Sequence, residues 1–118
     1  NKEIKQFGNG SSYRDYTYVK DIISGVTSII DGNGRWGEIY NLGNGNPISL
    51  TEFIRLCEKV TNKKAIIRVL ENQTGDVPKT FSDITKATAD LNYKPTTTLE
   101  EGLTKMFEWM KNNNRINT

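Results

Sequence analysis

Arg14, Asp76 and the loop Gly8-Asn9-Gly10-Ser11-Ser12 are the parts of this chain whose residue types could handle a charged ligand. The glycines let the backbone approach an anion closely, because a residue without Cβ adopts conformations closed to the others. Arg14 follows that loop, and its planar fork of paired donors matches a phosphate bidentately. Asp15 beside it would hold or orient the fork. Read plainly, Arg14 and Asp15 are a surface ion pair, worth little to stability. Asp76 lies in a second polar loop, Gln73-Thr74-Gly75-Asp76-Val77-Pro78. It could accept hydrogen bonds from sugar hydroxyls or simply cap a turn.

Several other chemistries are poorly supplied. The chain has no histidine and one cysteine, Cys57, which makes a zinc site very unfavourable and removes the commonest acid/base side chain. Cys57 falls on the apolar face of a predicted helix and reads as packing; a lone cysteine fits a reducing compartment. Tyr16 and Lys20 have the spacing of a Tyr-x-x-x-Lys catalytic pair. They straddle a strand-to-helix junction, so they do not share the helix face that such a pair needs. Gly43-Asn44-Gly45 follows a predicted strand and precedes a helix, as in a dinucleotide fingerprint. Ile48 stands where the third glycine would allow close helix packing, and a tight turn explains the run better.

Charge points the same way. A net charge of +2, with Lys63-Lys64 as the one adjacent basic pair, gives little support for nucleic-acid binding. No apolar run approaches the length of a membrane span, and no secretory signal opens the chain. Asn9-Gly10-Ser11 and Asn72-Gln73-Thr74 match the glycosylation tripeptide, which is frequent by chance.

The elements that must position these residues follow from periodicity. Ile4 to Phe7 reads as a strand, and Tyr16 to Val19 as extended. Ile22, Ile23, Val26, Ile29 and Ile30 fall at helical spacing between Lys20 and Asp31, and Gly32-Asn33-Gly34 ends that helix. Glu38 to Leu42 and Lys64 to Leu70 read as strands. Ser49-Leu50-Thr51-Glu52 and Thr98-Leu99-Glu100-Glu101 are capping boxes, each opening a helix. Asp83 is placed to cap a helix through Leu91, closed by Asn92 in a left-handed conformation. Leu99, Leu103, Met106, Phe107 and Met110 form the expected inner stripe of the last helix. The tail 112–118 is polar and expected to be disordered. The chain begins at Asn1 with a strand already under way, so residues 1–118 are expected to be one domain cut from a longer protein. The fold class is α/β, with short strands and about four helices.

Taken in order, Phe7-Gly8-Asn9-Gly10-Ser11-Ser12-Tyr13-Arg14-Asp15-Tyr16-Thr17-Tyr18-Val19-Lys20-Asp21-Ile22 resembles the segment that opens the substrate domain of extended short-chain dehydrogenase/reductase epimerases. Tyr40-Asn41-Leu42-Gly43 resembles the next strand of that family. Gln73 to Asp83, Lys86-Ala87, Leu91 to Pro95, Leu99 to Leu103 and Trp109 resemble its C-terminal end. Within the family, the Arg-Asp-Tyr-Thr-Tyr and Gln-x-Gly-Asp-Val-Pro forms are most similar to the UDP-glucuronate 4-epimerase branch.

The resemblance implies a small mixed α/β substrate domain of the Rossmann-like superfamily, with the Rossmann core missing. It implies that Arg14 binds the pyrophosphate of a UDP-sugar, that Asp76 contacts the ribose region, and that Phe7 and Gly8 lie near the uridine. Asp21 would start the following helix without touching substrate. Many relatives carry arginine where Gln73 stands, so phosphate binding there rests on a neutral amide, with Lys79 as a weaker point charge. The implied reaction is NAD-dependent epimerisation of UDP-glucuronate to UDP-galacturonate through a 4-keto intermediate. The NAD loop and the catalytic Tyr and Lys would lie upstream of Asn1, so the chain alone is expected to be inactive. Alternatives on the same scaffold are a 4,6-dehydratase or a decarboxylase; a non-catalytic UDP-sugar-binding module is a further one. The resemblance also implies a cytoplasmic protein that is a homodimer at full length. The apolar helix from Lys20 to Asp31 is expected to leave an exposed patch and to make the isolated chain self-associate.

Overall fold

Eight elements make up the computed structural model, which describes residues 2–116. In chain order they are β1 (Ile4–Phe7), β2 (Tyr13–Arg14), α1 (Val19–Ile30), β3 (Ile48–Ser49), α2 (Leu50–Thr61), β4 (Ile67–Leu70), α3 (Thr85–Leu91) and α4 (Leu99–Asn112). This is the small mixed α/β architecture expected. Among the described residues no sheet exceeds two strands. β1 pairs in parallel with β4, Ile4 opposite Ile67 through Phe7 opposite Leu70. β2 pairs antiparallel with β3, and Tyr13 also bridges to Lys79.

Both predicted capping boxes are formed. The Ser49 hydroxyl accepts the Glu52 N–H at 3.2 Å, and the Glu52 carboxylate accepts the Ser49 N–H at 3.1 Å. Thr98 and Glu101 do the same at the start of α4. Two orphan donors are thereby satisfied at each helix start. Asn62 and Asn92 close α2 and α3 in the left-handed region. A Lys59–Glu100 ion pair of 2.7 Å ties α2 to α4.

The core is small: Ala87, Leu91 and Tyr93, with Tyr40, Leu42 and Ile84 packed against them. Its size follows from shape. The described chain is a slab of 48 × 37 × 18 Å with a radius of gyration of 16.8 Å. A compact chain of this length would have about 13.5 Å. A slab so thin has few positions out of reach of water. One face of α1 pays for this most visibly, with Val19, Ile23, Val26, Ile29 and Ile30 all exposed and Ile30 78% so. Trp36 and Ile39 are exposed as well.

Four expectations are corrected. Residues 38–42 join no sheet; Tyr40 and Leu42 instead alternate onto the core, and the Tyr40 hydroxyl donates to Asp90 at 3.0 Å. Their alternation reports a buried face, which the core supplies without a strand partner. The extended stretch stops at Tyr18, because Val19 already opens α1. Asp83 accepts the Thr85 N–H at 3.0 Å, yet the cap position of α3 is Ile84, so Asp83 closes the turn before the helix. On α4, Met106 faces solvent. The buried position is Gly102, which sits against the Tyr18 ring and narrows the stripe to what α2 and Tyr18 can cover. The helix continues to Asn112, and the Asn113 and Arg115 N–H groups bond back to Trp109 and Met110. The end of the predicted tail, residues 117–118, lies outside the described residues.

Candidate functional site

The parallel pair β1–β4 builds the site. Beyond its carboxyl end the two chains diverge, the position where ligands commonly bind in open α/β sheets. There a cleft of about 350 Å³ is lined by Phe7 to Ser12, Asn72, Asp76, Val77 and Pro78. The Gly8 N–H, bonded to the Leu70 carbonyl at 2.9 Å, carries the sheet pairing one residue past β1 and into the cleft.

Three residues hold the glycine loop in shape. Buried Gln6 donates its amide to the Gly8 carbonyl at 3.0 Å. Thr51, in the first turn of α2, gives both its N–H and its hydroxyl to the Gly10 carbonyl, each at 3.0 Å. Asn9 folds its carboxamide oxygen onto the Ser11 N–H and hydroxyl, at 3.0 and 2.6 Å. Gly8 has φ +75°, and a Cβ there would run into the Asn72 carboxamide. The positive φ favours glycine at this point, and any side chain there would also push the Asn72 carboxamide aside.

Asp76 lines this cleft, and Arg14 reaches it from outside the lining. The Arg14 Nη2 donates to Asp76 Oδ1 at 2.5 Å, and Nη1 donates to the Tyr13 carbonyl at 2.7 Å. Both side chains keep partial access to water, 29% for Arg14 and 42% for Asp76. Asp76 therefore takes the role expected of Asp15. Asp15 turns away and accepts the Gly45 N–H at 2.9 Å and the Ser82 N–H at 3.0 Å, stapling two loops behind β2. Its other oxygen, Oδ1, is buried without a partner among the described residues. Asp21, in the first turn of α1, is buried and accepts the N–H groups of Thr96 and Thr97 at 3.3 and 3.1 Å. It positions the loop before α4 and lies away from the cleft.

Phe7, Gly8 and Asp76 are thus brought together, with Arg14 joined to them through Asp76. Gln73 is not in the cleft lining; its carbonyl accepts the Asp76 N–H at 3.2 Å and shapes the loop that carries Asp76. Lys79 stands over the rings of Tyr13 and Phe81, 5.8 and 5.5 Å from their centroids, an arrangement that draws the ammonium to the rings. No sequence pattern assigns Gln6, Thr51 or Asn72 to the site. Gln6 carried one signal, a polar residue inside a strand, and the other two carried none at sequence level.

Tyr16 packs face to face with Phe53, centroids 4.1 Å apart. Burial pushes its phenol up, opposed by the nearby Arg14 charge, so Tyr16 is a poor proton acceptor at neutral pH. Nor do the residues fit a dinucleotide cradle at Gly43-Asn44-Gly45. The Gly43 carbonyl accepts the Tyr93 hydroxyl at 2.8 Å, Ser82 crowds its α-carbon, and the Gly45 N–H is spent on Asp15. Among the described residues no group of His, Cys, Asp and Glu could hold a metal ion, and no helix is long and apolar enough to cross a membrane.

Residues 1–106 match the GDP-mannose 4,6 dehydratase family. A UDP-glucuronate 4-epimerase of Thermodesulfobacterium geofontis is 42% identical over 113 residues, covering 95% of this chain and 34% of the relative. Among solved structures, the UDP-glucuronic acid 4-epimerase of Bacillus cereus, in complex with UDP-glucuronic acid and NAD, superposes with a TM-score of 0.86 at 32% identity, over 95% of this chain and 36% of that one. The UDP-glucose 4-epimerase of Thermotoga maritima with UDP-glucose gives 0.84 at 30% identity, over 95% and 36%. The chain spans about a third of the length of the curated relatives that it matches.

Proposed function

The chain belongs to the extended short-chain dehydrogenase/reductase family of nucleotide-sugar epimerases and dehydratases, and from that premise we propose that residues 1–118 are the substrate-binding part of an NAD-dependent enzyme acting on a UDP-sugar. The sugar proposed is UDP-glucuronate and the product UDP-galacturonate. The observation that carries this reading is the Arg14–Asp76 pair at a glycine-lined cleft. A cation and a carboxylate side by side suit a ligand with a diphosphate next to a ribose.

In this reading Arg14 grips the diphosphate with its fork, Asp76 accepts hydrogen bonds from the ribose hydroxyls, and Phe7 and Gly8 flank the base. Gln73, outside the cleft lining, shapes the Asp76 loop through its backbone carbonyl. NAD, when bound, supplies the hydride acceptor, and we place its binding in the part of the relatives that this chain does not span. The residues here bind and orient; the fixed geometry is their contribution to rate. Turnover of UDP-glucuronate by the chain alone is therefore expected to be nil. A 4,6-dehydratase reading is favoured by the name of the matching family, and product analysis of an enzyme carrying this segment separates the two.

Calorimetric titration of the chain with UDP and with UDP-glucuronate tests the proposal. Saturable binding of both supports it. Binding of neither, by a chain shown folded by circular dichroism, sinks it. We also propose a cytoplasmic protein, on the lone Cys57, that contacts neither membrane nor nucleic acid and is a homodimer at full length. The exposed face of α1 leads us to expect that the chain self-associates. Sedimentation velocity at rising concentration should show a growing weight-average mass; a constant monomer mass would count against it.

A further inference from the structure

Two of the five N–H donors of the Arg14 guanidinium are engaged. Nη1 is spent on the Tyr13 carbonyl at 2.7 Å and Nη2 on the Asp76 carboxylate at 2.5 Å. An anion arriving at Arg14 therefore meets a cation that already has a carboxylate beside it. The Asp76 side chain keeps 42% of its access to water, which leaves its carboxylate room to turn away from Arg14. Two functions fall on one side chain: it occupies Arg14, and it is the acceptor for ligand hydroxyls.

Resting on the reading of Arg14 and Asp76 as ligand-binding residues, we propose that Asp76 is a specificity determinant acting as an internal competitor for Arg14. A bare anion must displace the carboxylate or bind beside it, and either way brings a second negative charge next to Asp76. A nucleoside diphosphate does the same, but offers the ribose hydroxyls as new donors. The pair thereby selects ligands that bring an anion and a diol together, and discriminates against inorganic phosphate and pyrophosphate. This is discrimination by a penalty on the wrong ligand as much as by contacts with the right one.

The test is titration of the 118-residue chain with inorganic pyrophosphate and, separately, with UDP, for the wild type and for Asp76→Asn. The substituted amide keeps the shape and an acceptor oxygen but loses the charge. Pyrophosphate is expected to bind Asp76→Asn about two- to five-fold more tightly, the range set by an exposed ion pair, while UDP binds it more weakly. The change to Glu108→Gln, the same change in net charge on the exposed side of α4, should leave pyrophosphate binding where it was. In the double variant Arg14→Ala/Asp76→Asn the gain should vanish. Pyrophosphate binding to Asp76→Asn that is absent, unchanged or weaker overturns the inference, as does an equal gain in Glu108→Gln. The two arms separate the claims. Failure of wild-type chain to bind UDP sinks the proposed function, whereas the pyrophosphate arm alone decides the role of Asp76. Asp76 lies on an exposed loop, and Asp76→Ala read by the same titration repeats the pyrophosphate test with a side chain that makes no hydrogen bond.

Discussion

Replacing Arg14 with alanine is expected to weaken UDP binding by about ten- to a hundred-fold. Hydrogen bonds to a charged partner contribute about 1.5–3 kcal/mol each, and 1.4 kcal/mol is tenfold in affinity. The fold should survive, because the Arg14 side chain keeps 29% of its access to water and its two bonds lie at the surface. Arg14→Lys separates charge from shape: the ammonium keeps the point charge and loses the fork, so its affinity should fall between wild type and alanine. Isothermal titration beside a thermal melt reads both quantities. Affinity for UDP within two-fold of wild type in Arg14→Ala would remove Arg14 from the site.

Leu91→Ala is expected to be the most destabilising single change in the chain. Leu91 is 2% exposed and stands at the end of α3, between Ala87 and Tyr93. Ser28 of α1 donates its hydroxyl to the Leu91 carbonyl at 2.7 Å, so the same residue joins two helices. Truncating a buried leucine costs about 2–5 kcal/mol. Native domains hold about 5–15 kcal/mol in total, and a thin slab with three buried apolar residues sits at the low end. A urea melt should show a large fall in midpoint, or no folded baseline at all. A shift of less than about 1 kcal/mol would mean that the stability resides elsewhere, in the α2–α4 contact for instance.

Local signals in the sequence were reliable where a short segment decides its own conformation. β1 lies at the predicted Ile4–Phe7, both capping boxes form, and Asn92 adopts the left-handed cap. The caps depend on residues close together in the sequence. The errors arise where a partner far along the chain decides. Glu38–Leu42 has strand character, but whether it pairs depends on a neighbouring strand, and the described residues offer only the core face of Leu91 and Tyr93. Arg14 has an acid next to it in sequence and chooses another 62 positions away, because successive side chains on an extended segment point to opposite sides. Met106 obeys the helical period, but Gly102 against Tyr18 takes the space that a wider stripe would need. For the site, the glycine loop, Arg14 and Asp76 were all visible in the sequence. The hands that hold the loop, Gln6 and Thr51, were not, since nothing local distinguishes a glutamine or threonine that bonds to a distant carbonyl.

The pairing of β1 with β4 sets a timetable for the site. About sixty residues of chain separate Ile4 from Ile67, and α1 and α2 lie between. Closing a loop of that length carries an entropy cost that local contacts do not share, so such pairings form late and slow the folding of the molecules that depend on them. The cleft sits at the far end of this pair and takes one wall from the segment that follows each strand. During synthesis the glycine loop emerges early and waits, without its second wall, until residues beyond Leu70 have left the ribosome. The capped helix α2 can have formed by local contacts well before the ligand has anywhere to sit.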